Sequence, residues 1–372
     1  MKRLVCFFDG TWDTADDKEV TNVVKLQRAI LKTDGIHQLT HYEIGIASEY
    51  TGRLSFWAGV LSVGLGSRVQ GGYRFLCEHY EAGDEIYLFG FSRGAFEARI
   101  LVDLISFVGL IRRDANNRPE QAWSYYRRYR ANPQHKKFHR LHENAHFPVR
   151  IKCVGVWDTV GTLGIPSVQR LSGSQIRPFP AIVDLGLQAL AIDEPRGPYS
   201  PILWTTKRDA VIPQRQTVEQ VWFPGSHDDV GGGGNSHALS DAALLWMAGR
   251  VTDTTDLAID FAYLRATTAA DPEGEQCWPT TGLYRVSGLV PYVRLIKQNL
   301  SALLPLRRFV FRGWRTNQLP RDELPVNEIV HESAIVRFGK IVPVRSGEEV
   351  RKQRYCPRSL KAIVHTRGKN SG

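Results

Sequence analysis

The stretch Glu85–Phe91, EIYLFGF, limits the possible folds more than any other part of this chain. From Ile86 onward its apolar residues do not alternate with polar ones, so a strand built from them must be covered on both faces. It runs without a loop into SRGAFEARILVDLISFVG, an apolar pattern of helical period. A doubly buried strand that feeds a helix directly belongs in a parallel sheet, where each return crossover lays a helix on one face. The same rhythm recurs across the first 250 residues. Further strands are predicted at Leu4–Phe8, Gln38–Ile44, Ile151–Trp157 and Val218–Phe223. Helices are predicted over TNVVKLQRAILKTDG, stopped by Gly35, and over SRVQGGYRFLCEHYEAGD and SDAALLWMAG.

The expected architecture is therefore α/β, a mainly parallel sheet with helices on both faces. Residues 1–250 form the core. Two segments break the rhythm and are expected as helical or irregular cap insertions: basic, aromatic 110–149 and Pro-, Gly- and Arg-rich 164–217. Residues 251–372 are expected as an extension serving as a cap or packing on the core.

Serine chemistry is the reading these elements favour. GFSRG places Ser92 between Gly90 and Gly94 at the strand-to-helix junction, the G-x-S-x-G pattern of a nucleophile elbow. A serine hydroxyl needs a base, and the base needs an orienting carboxylate. Asp158 follows the strand Ile151–Trp157, and His227 follows Val218–Phe223 within VWFPGSHDDVGGGG. All three then emerge at the carboxyl edge of the sheet, in the chain order Ser, Asp, His. His227 is preferred over His237, which lies beyond the glycines. Oxyanion donors are expected from the amide of Arg93 and from Gly10 or Thr11 in FFDGTW, a loop that Asp9 could hold. Asp228 or Asp229, with Asp229 preferred, is expected to fix the glycine-rich loop rather than react.

FFDGTW, GDEIYLFGFSRGAFEAR, GVWDTVGTLG, AIDEPR and WFPGSHDDVGGG, in that order, resemble an α/β-hydrolase family long labelled a domain of unknown function. That family includes phospholipase effectors delivered by bacterial type VI secretion. The resemblance covers roughly residues 1–250. It implies Ser92 as nucleophile, Asp158 as acid, His227 as base, and lipid-ester hydrolysis as the activity. The chain departs from the pattern at Asp228, where a small residue is more usual.

Charge and cysteine usage bear on partners. The net charge is +10, from 48 Lys and Arg against 38 Asp and Glu. Such a surface favours an anionic partner. No helix-turn-helix, zinc-finger or RNP signature is visible, so an anionic membrane carrying an ester or phospholipid substrate is favoured over nucleic acid. Residues 51–66 and 293–315 mix apolar residues with glycine or with arginine and lysine, and each reads as an interfacial segment or as core. Five scattered cysteines without a CxxC pair imply reduced thiols and cytoplasmic synthesis. The apolar run after Lys2 and Arg3 is shorter than the ~7–15 residues of a signal-peptide core, which leaves export to a signal-independent route. No cofactor is implied.

Two other chemistries fit parts of the chain. HENAH at 142–146 matches H-E-x-x-H, with His142 and His146 as zinc ligands and Glu143 as base. Its surroundings are strongly charged, and Pro148 should end any helix there. A hydrolase fold kept only as a binding module is the other alternative. FFDGTW also echoes a phosphotransferase loop, but the nucleophilic aspartate would fall at Phe7.

Overall fold

The computed structural model describes residues 1–10, 20–32, 35, 37–44, 54–115, 118–132, 135–161, 178–210, 213–279, 292–299 and 315–369, with backbone alone for 54–65, 137, 315 and 365–369. One sheet organises the chain. Its strands are β1 (Arg3–Phe8), β2 (Gln38–Glu43), β3 (Glu85–Phe91), β4 (Ile151–Trp157), β5 (Val183–Ala191), β6 (Thr217–Phe223) and β7 (Glu328–Val330). The order across the sheet is β7-β6-β5-β4-β3-β1-β2, and every neighbouring pair is parallel.

The unalternated runs are explained by cover on both faces. Leu4, Cys6, Phe8, Ile86, Leu88, Val154 and Val156 point into one core with α2 (Leu54–His79) and α3 (Ser92–Val108). Val5, Phe7, Tyr87, Phe89, Cys153 and Trp157 point into a second core with α1 (Asn22–Arg28) and the helix Ala238–Thr254. Burying a large apolar side chain stabilises by roughly 1.5–3 kcal/mol, so a strand packed on both sides gains along its whole length. Phe7 also stacks on Phe89 with ring centres 5.5 Å apart.

Two expectations need correction. The segment 164–217 is not all insertion, because β5 lies inside it between β4 and β6. The buried Gln188 disguises this strand in the sequence. Its polar atoms are satisfied by Thr159 Oγ1 at 2.6 Å and by Gln220 Oε1 at 2.9 Å. The extension beyond residue 250 also contributes to the sheet, through β7 on the edge of β6. In the segment 110–149, α4 (Pro119–Tyr129) and the helix Lys136–His142 bury Trp123, Tyr126, Phe138 and Leu141 in the first core.

Topology places the site. The chain goes from β1 outward to β2, then returns past β1 to build β3 on its other side. Loops leaving the carboxyl ends of β1 and β3 therefore diverge, and such a switch point opens a crevice at the strand ends. Phe8 pairs with Gly90 in register, so Asp9 and Ser92 both leave the sheet at this edge.

Candidate active site

β3 turns into α3 at Ser92, which takes φ +58° in the left-handed region. A residue with a side chain adopts that conformation at a cost, so its surroundings must hold it there. The flanking glycines make the turn sterically possible. A Cβ on Gly90 would sit 2.7 Å from the Gly94 carbonyl carbon and 2.8 Å from Ala95 Cα. A Cβ on Gly94 would run into the backbone oxygens of Phe8 and Asp9.

Asp158 stands one residue past β4, fully buried, also with positive φ, at +38°. His227 opens a short helix, α5 (His227–Gly231), rather than the loop expected from its glycines. Ser226 is the N-cap, and the Asp229 carboxylate accepts from the Ser226 N–H at 2.8 Å and its hydroxyl at 3.1 Å. This capping box outweighs the flexibility of the following glycines. Asp229 also accepts from the Cys277 N–H at 3.1 Å, which ties the loop to that segment, and burial pushes its carboxyl up to about 7.

These turns bring the three residues together. His227 Nε2 lies 2.8 Å from Ser92 Oγ, and Nδ1 lies 2.6 Å from Asp158 Oδ2. Phe91 and Tyr199 flank the imidazole at 4.6 and 4.9 Å between ring centres. With Nδ1–H donating to the carboxylate, Nε2 is left as the acceptor for the serine hydroxyl.

The segment 191–196, AIDEPR, braces both partners. The Ala191 N–H donates to Asp158 Oδ1 at 3.0 Å, and the Gly225 N–H donates to Asp193 Oδ2 at 2.7 Å. Glu194 Oε2 accepts from the His227 N–H at 3.2 Å, while Arg196 donates to Glu194 Oε1 at 2.6 Å.

Arg294, which the sequence reading did not single out, binds the same aspartate. Its Nη1 donates to Asp158 Oδ1 at 2.5 Å and its Nη2 to Oδ2 at 2.9 Å. Burial by itself would raise the Asp158 carboxyl, but Arg294 and the imidazole outweigh it and hold the group well below the usual carboxylate range. The only sequence signal was a lone arginine in the apolar run YVRLI. Of the interfacial candidate 293–315, Arg294, Leu295 and Ile296 are buried, and 300–314 lie outside the described residues. Of 51–66, only Gly66 has a described side-chain environment, against the Trp123 ring.

The first loop departs from expectation at Gly10. Its N–H donates to Asp9 Oδ1 at 2.7 Å, so an oxyanion would have to compete with a buried carboxylate for it. Asp9 is the hub of this loop, accepting also from Thr21 Oγ1 at 2.9 Å and Tyr42 Oη at 2.6 Å. Arg68 Nη2 donates to the Asp9 carbonyl at 2.8 Å. Thr11 lies outside the described residues. The Arg93 amide belongs to the first turn of α3, the helix end that favours negative charge.

The zinc reading loses its premise. His142 ends the helix Lys136–His142, whereas His146 lies in a strand, Ala145–His146, paired with Leu110–Ile111. The two rings are therefore not one turn apart on a helix, and His142 Nε2 is 2.8 Å from the Phe107 carbonyl. Among the described residues no cluster of His, Cys, Asp and Glu suits a metal ion. His237 immediately precedes the helix Ala238–Thr254, α6.

The uncharacterized protein YEL023C of Saccharomyces cerevisiae is 27% identical, over 55% of this chain and 33% of its own length. A crystal structure of an uncharacterized protein from Pseudomonas aeruginosa matches with a TM-score of 0.44 and 15% identity, over 73% of this chain and 49% of that one. The structure of the Tle1 effector bound to the VgrG spike from the type 6 secretion system matches with a TM-score of 0.33 and 17% identity, over 63% of this chain and 51% of that one. The chain thus spans a third of the curated relative and about half of each solved chain. Residues 2–250 match the family described as T6SS phospholipase effector Tle1-like, catalytic domain, and the chain belongs to that family.

Proposed function

We propose that this chain is a serine hydrolase that cleaves carboxylic esters of lipids, phospholipids foremost, through an acyl-enzyme on Ser92. The observation that carries the reading is the unbroken line of contacts from Ser92 Oγ through the imidazole of His227 to Asp158. Family membership supports lipid esters as the substrate class.

In this reading His227 Nε2 takes the Ser92 proton as Oγ adds to the ester carbonyl. Asp158 keeps the Nδ1 proton in place and stabilises the imidazolium that forms. The developing oxyanion is met by the Arg93 amide and by a second donor from the loop after β1. The imidazolium then protonates the departing alcohol, and a water repeats the sequence to release the fatty acid and restore the serine. Residues 1–250 carry Ser92, Asp158 and His227, and the extension beyond 250 adds β7 to the sheet and Arg294 to the carboxylate of Asp158. The basic surface suits an anionic membrane as the substrate phase. Membership in a type VI effector family favours export without a signal peptide.

The test is turnover of p-nitrophenyl esters of graded chain length and of phosphatidylglycerol and phosphatidylcholine vesicles. Wild type should release acid or nitrophenolate, and Ser92→Ala should abolish release while keeping the far-UV circular dichroism spectrum. Turnover retained by Ser92→Ala would refute the assignment. Silence of the wild type on every ester would favour the binding-module alternative.

A further inference from the structure

We propose that Arg294 is a positioning residue of the hydrolytic site, holding the Asp158 carboxylate in the one orientation that serves His227. The inference rests on the serine-hydrolase reading and adds a member that lies beyond residues 2–250, the span matched by the catalytic-domain family.

The two terminal nitrogens of Arg294 have four acceptors between them, whereas its buried Nε has none among the described residues. Nη1 donates to Asp158 Oδ1 at 2.5 Å and to the Ala191 carbonyl at 2.8 Å. Nη2 donates to Asp158 Oδ2 at 2.9 Å and to the Tyr199 carbonyl at 2.6 Å. Both terminal nitrogens thus bond one carboxylate and two carbonyls, one at Ala191 where the bracing segment begins and one at Tyr199, whose ring flanks His227. The arginine is itself held from behind. Asn317 accepts from the Leu295 N–H at 2.5 Å and donates to the Leu295 carbonyl at 3.2 Å. On the other side Tyr292 Oη donates to Ser200 Oγ at 2.5 Å. A lysine cannot reproduce this, because one ammonium offers its donors from a single point whereas the planar guanidinium spans both carboxylate oxygens.

A bidentate partner fixes the carboxylate plane, so Oδ2 faces His227 Nδ1 and the imidazole cannot swing from Ser92. It also sets the charge seen by the imidazole. The groups facing this pair are His227 and Asp228 from α5, Asp193, Glu194 and Arg196 from the bracing segment, and Tyr292 from the segment of Arg294. Glu194 is paired with Arg196, and Asp193 accepts from the Gly225 N–H and from Tyr355 Oη. Arg294 is therefore the cation that neutralises Asp158. Its loss acts twice in one direction: the freed carboxylate pulls harder on a proton at the imidazole, and the carboxyl itself becomes easier to protonate. Both effects move the acid limb of the activity profile to higher pH.

The experiment measures kcat/KM against pH on a p-nitrophenyl ester for wild type, Arg294→Met and Arg294→Lys, with Ser92→Ala as the blank. Arg294→Met should lose about tenfold to a hundredfold at the plateau, the range typical of removing an orienting outer partner. Its acid limb should rise by about one pH unit, and Arg294→Lys should restore part of that shift. A merely structural role would lower the plateau and leave the midpoint in place, and that result overturns the inference. If Arg294→Met does not fold, Arg294→Lys alone supplies the reading: its acid limb should still lie above that of wild type, and a lowered plateau with the wild-type midpoint again overturns the inference. A wild type without Ser92-dependent turnover overturns the hydrolase reading, and the positioning role with it. That outcome is distinct from an active wild type whose profile ignores Arg294.

Discussion

Replacing Asp158 by asparagine exposes the arrangement of the whole site. In the native protein Oδ1 accepts from Arg294 Nη1 and the Ala191 N–H, and Oδ2 accepts from Arg294 Nη2 and His227 Nδ1. An asparagine keeps one oxygen and puts an NH2 group in place of the other. Either way round, that NH2 faces an N–H of Arg294. If it also occupies the Oδ2 position, it faces Nδ1 and forces the imidazole into the tautomer with its proton on Nε2. On the serine-hydrolase reading, His227 is then blocked where it would accept from Ser92. Turnover should fall by about 10⁴, the loss typical of the wrong tautomer in such a triad. The buried guanidinium loses its counter-charge in both orientations, and breaking a buried pair from one side costs about 3–5 kcal/mol. Both numbers are accessible in one preparation, by ester hydrolysis rates and by urea unfolding. A variant that stays as stable as wild type and loses less than tenfold in rate would refute the reasoning.

Two further outcomes follow from the geometry. Gly90→Ala drives a Cβ into the Gly94 and Ala95 backbone at 2.7–2.8 Å, where nothing flexible can yield, so the elbow must shift. Overpacking of this kind costs about 1–3 kcal/mol, and a displacement of about 1 Å between Ser92 and His227 should cut turnover about a hundredfold; unfolding midpoints and rates unchanged from wild type would count against the elbow. Asp229, raised by burial to about 7, is the pH probe. Its folded state holds a proton that the unfolded chain releases near pH 4, so its contribution to stability is full below pH 4 and is lost as pH rises towards 7. Asp229→Asn should therefore lose less stability than wild type between pH 4 and 7 in a urea titration, and parallel curves would reject the raised carboxyl.

The sequence made the sheet legible where strands are buried on both faces, because β1, β3 and β4 leave no alternation to misread. It concealed β5, whose Gln188 looks like a surface residue until Thr159 and Gln220 are seen to satisfy it. β7 was out of reach for another reason: three residues, Glu328–Val330, gain their meaning only from pairing with β6 across more than a hundred positions. At the site, the serine elbow and the strand-end order of Asp158 and His227 were readable from local chemistry. The capping box at Ser226 and Asp229 was present in the letters, but four glycines beside it suggested a loop. Gly10 as a donor failed on a detail of side-chain geometry, since Asp9 turns back onto the amide that follows it. Arg294 could not be assigned from sequence. A buried arginine is defined by its acceptors, and those come from Asp158 after β4, Ala191 at the end of β5, and Tyr199.

The most direct measurement is the reaction of purified protein with a fluorophosphonate probe, followed by mass mapping of the modified peptide. The account predicts a single adduct on the hydroxyl of Ser92, slowed in Asp158→Asn and absent in Ser92→Ala. An unlabelled wild type, or a label at the same rate on another residue, would contradict it.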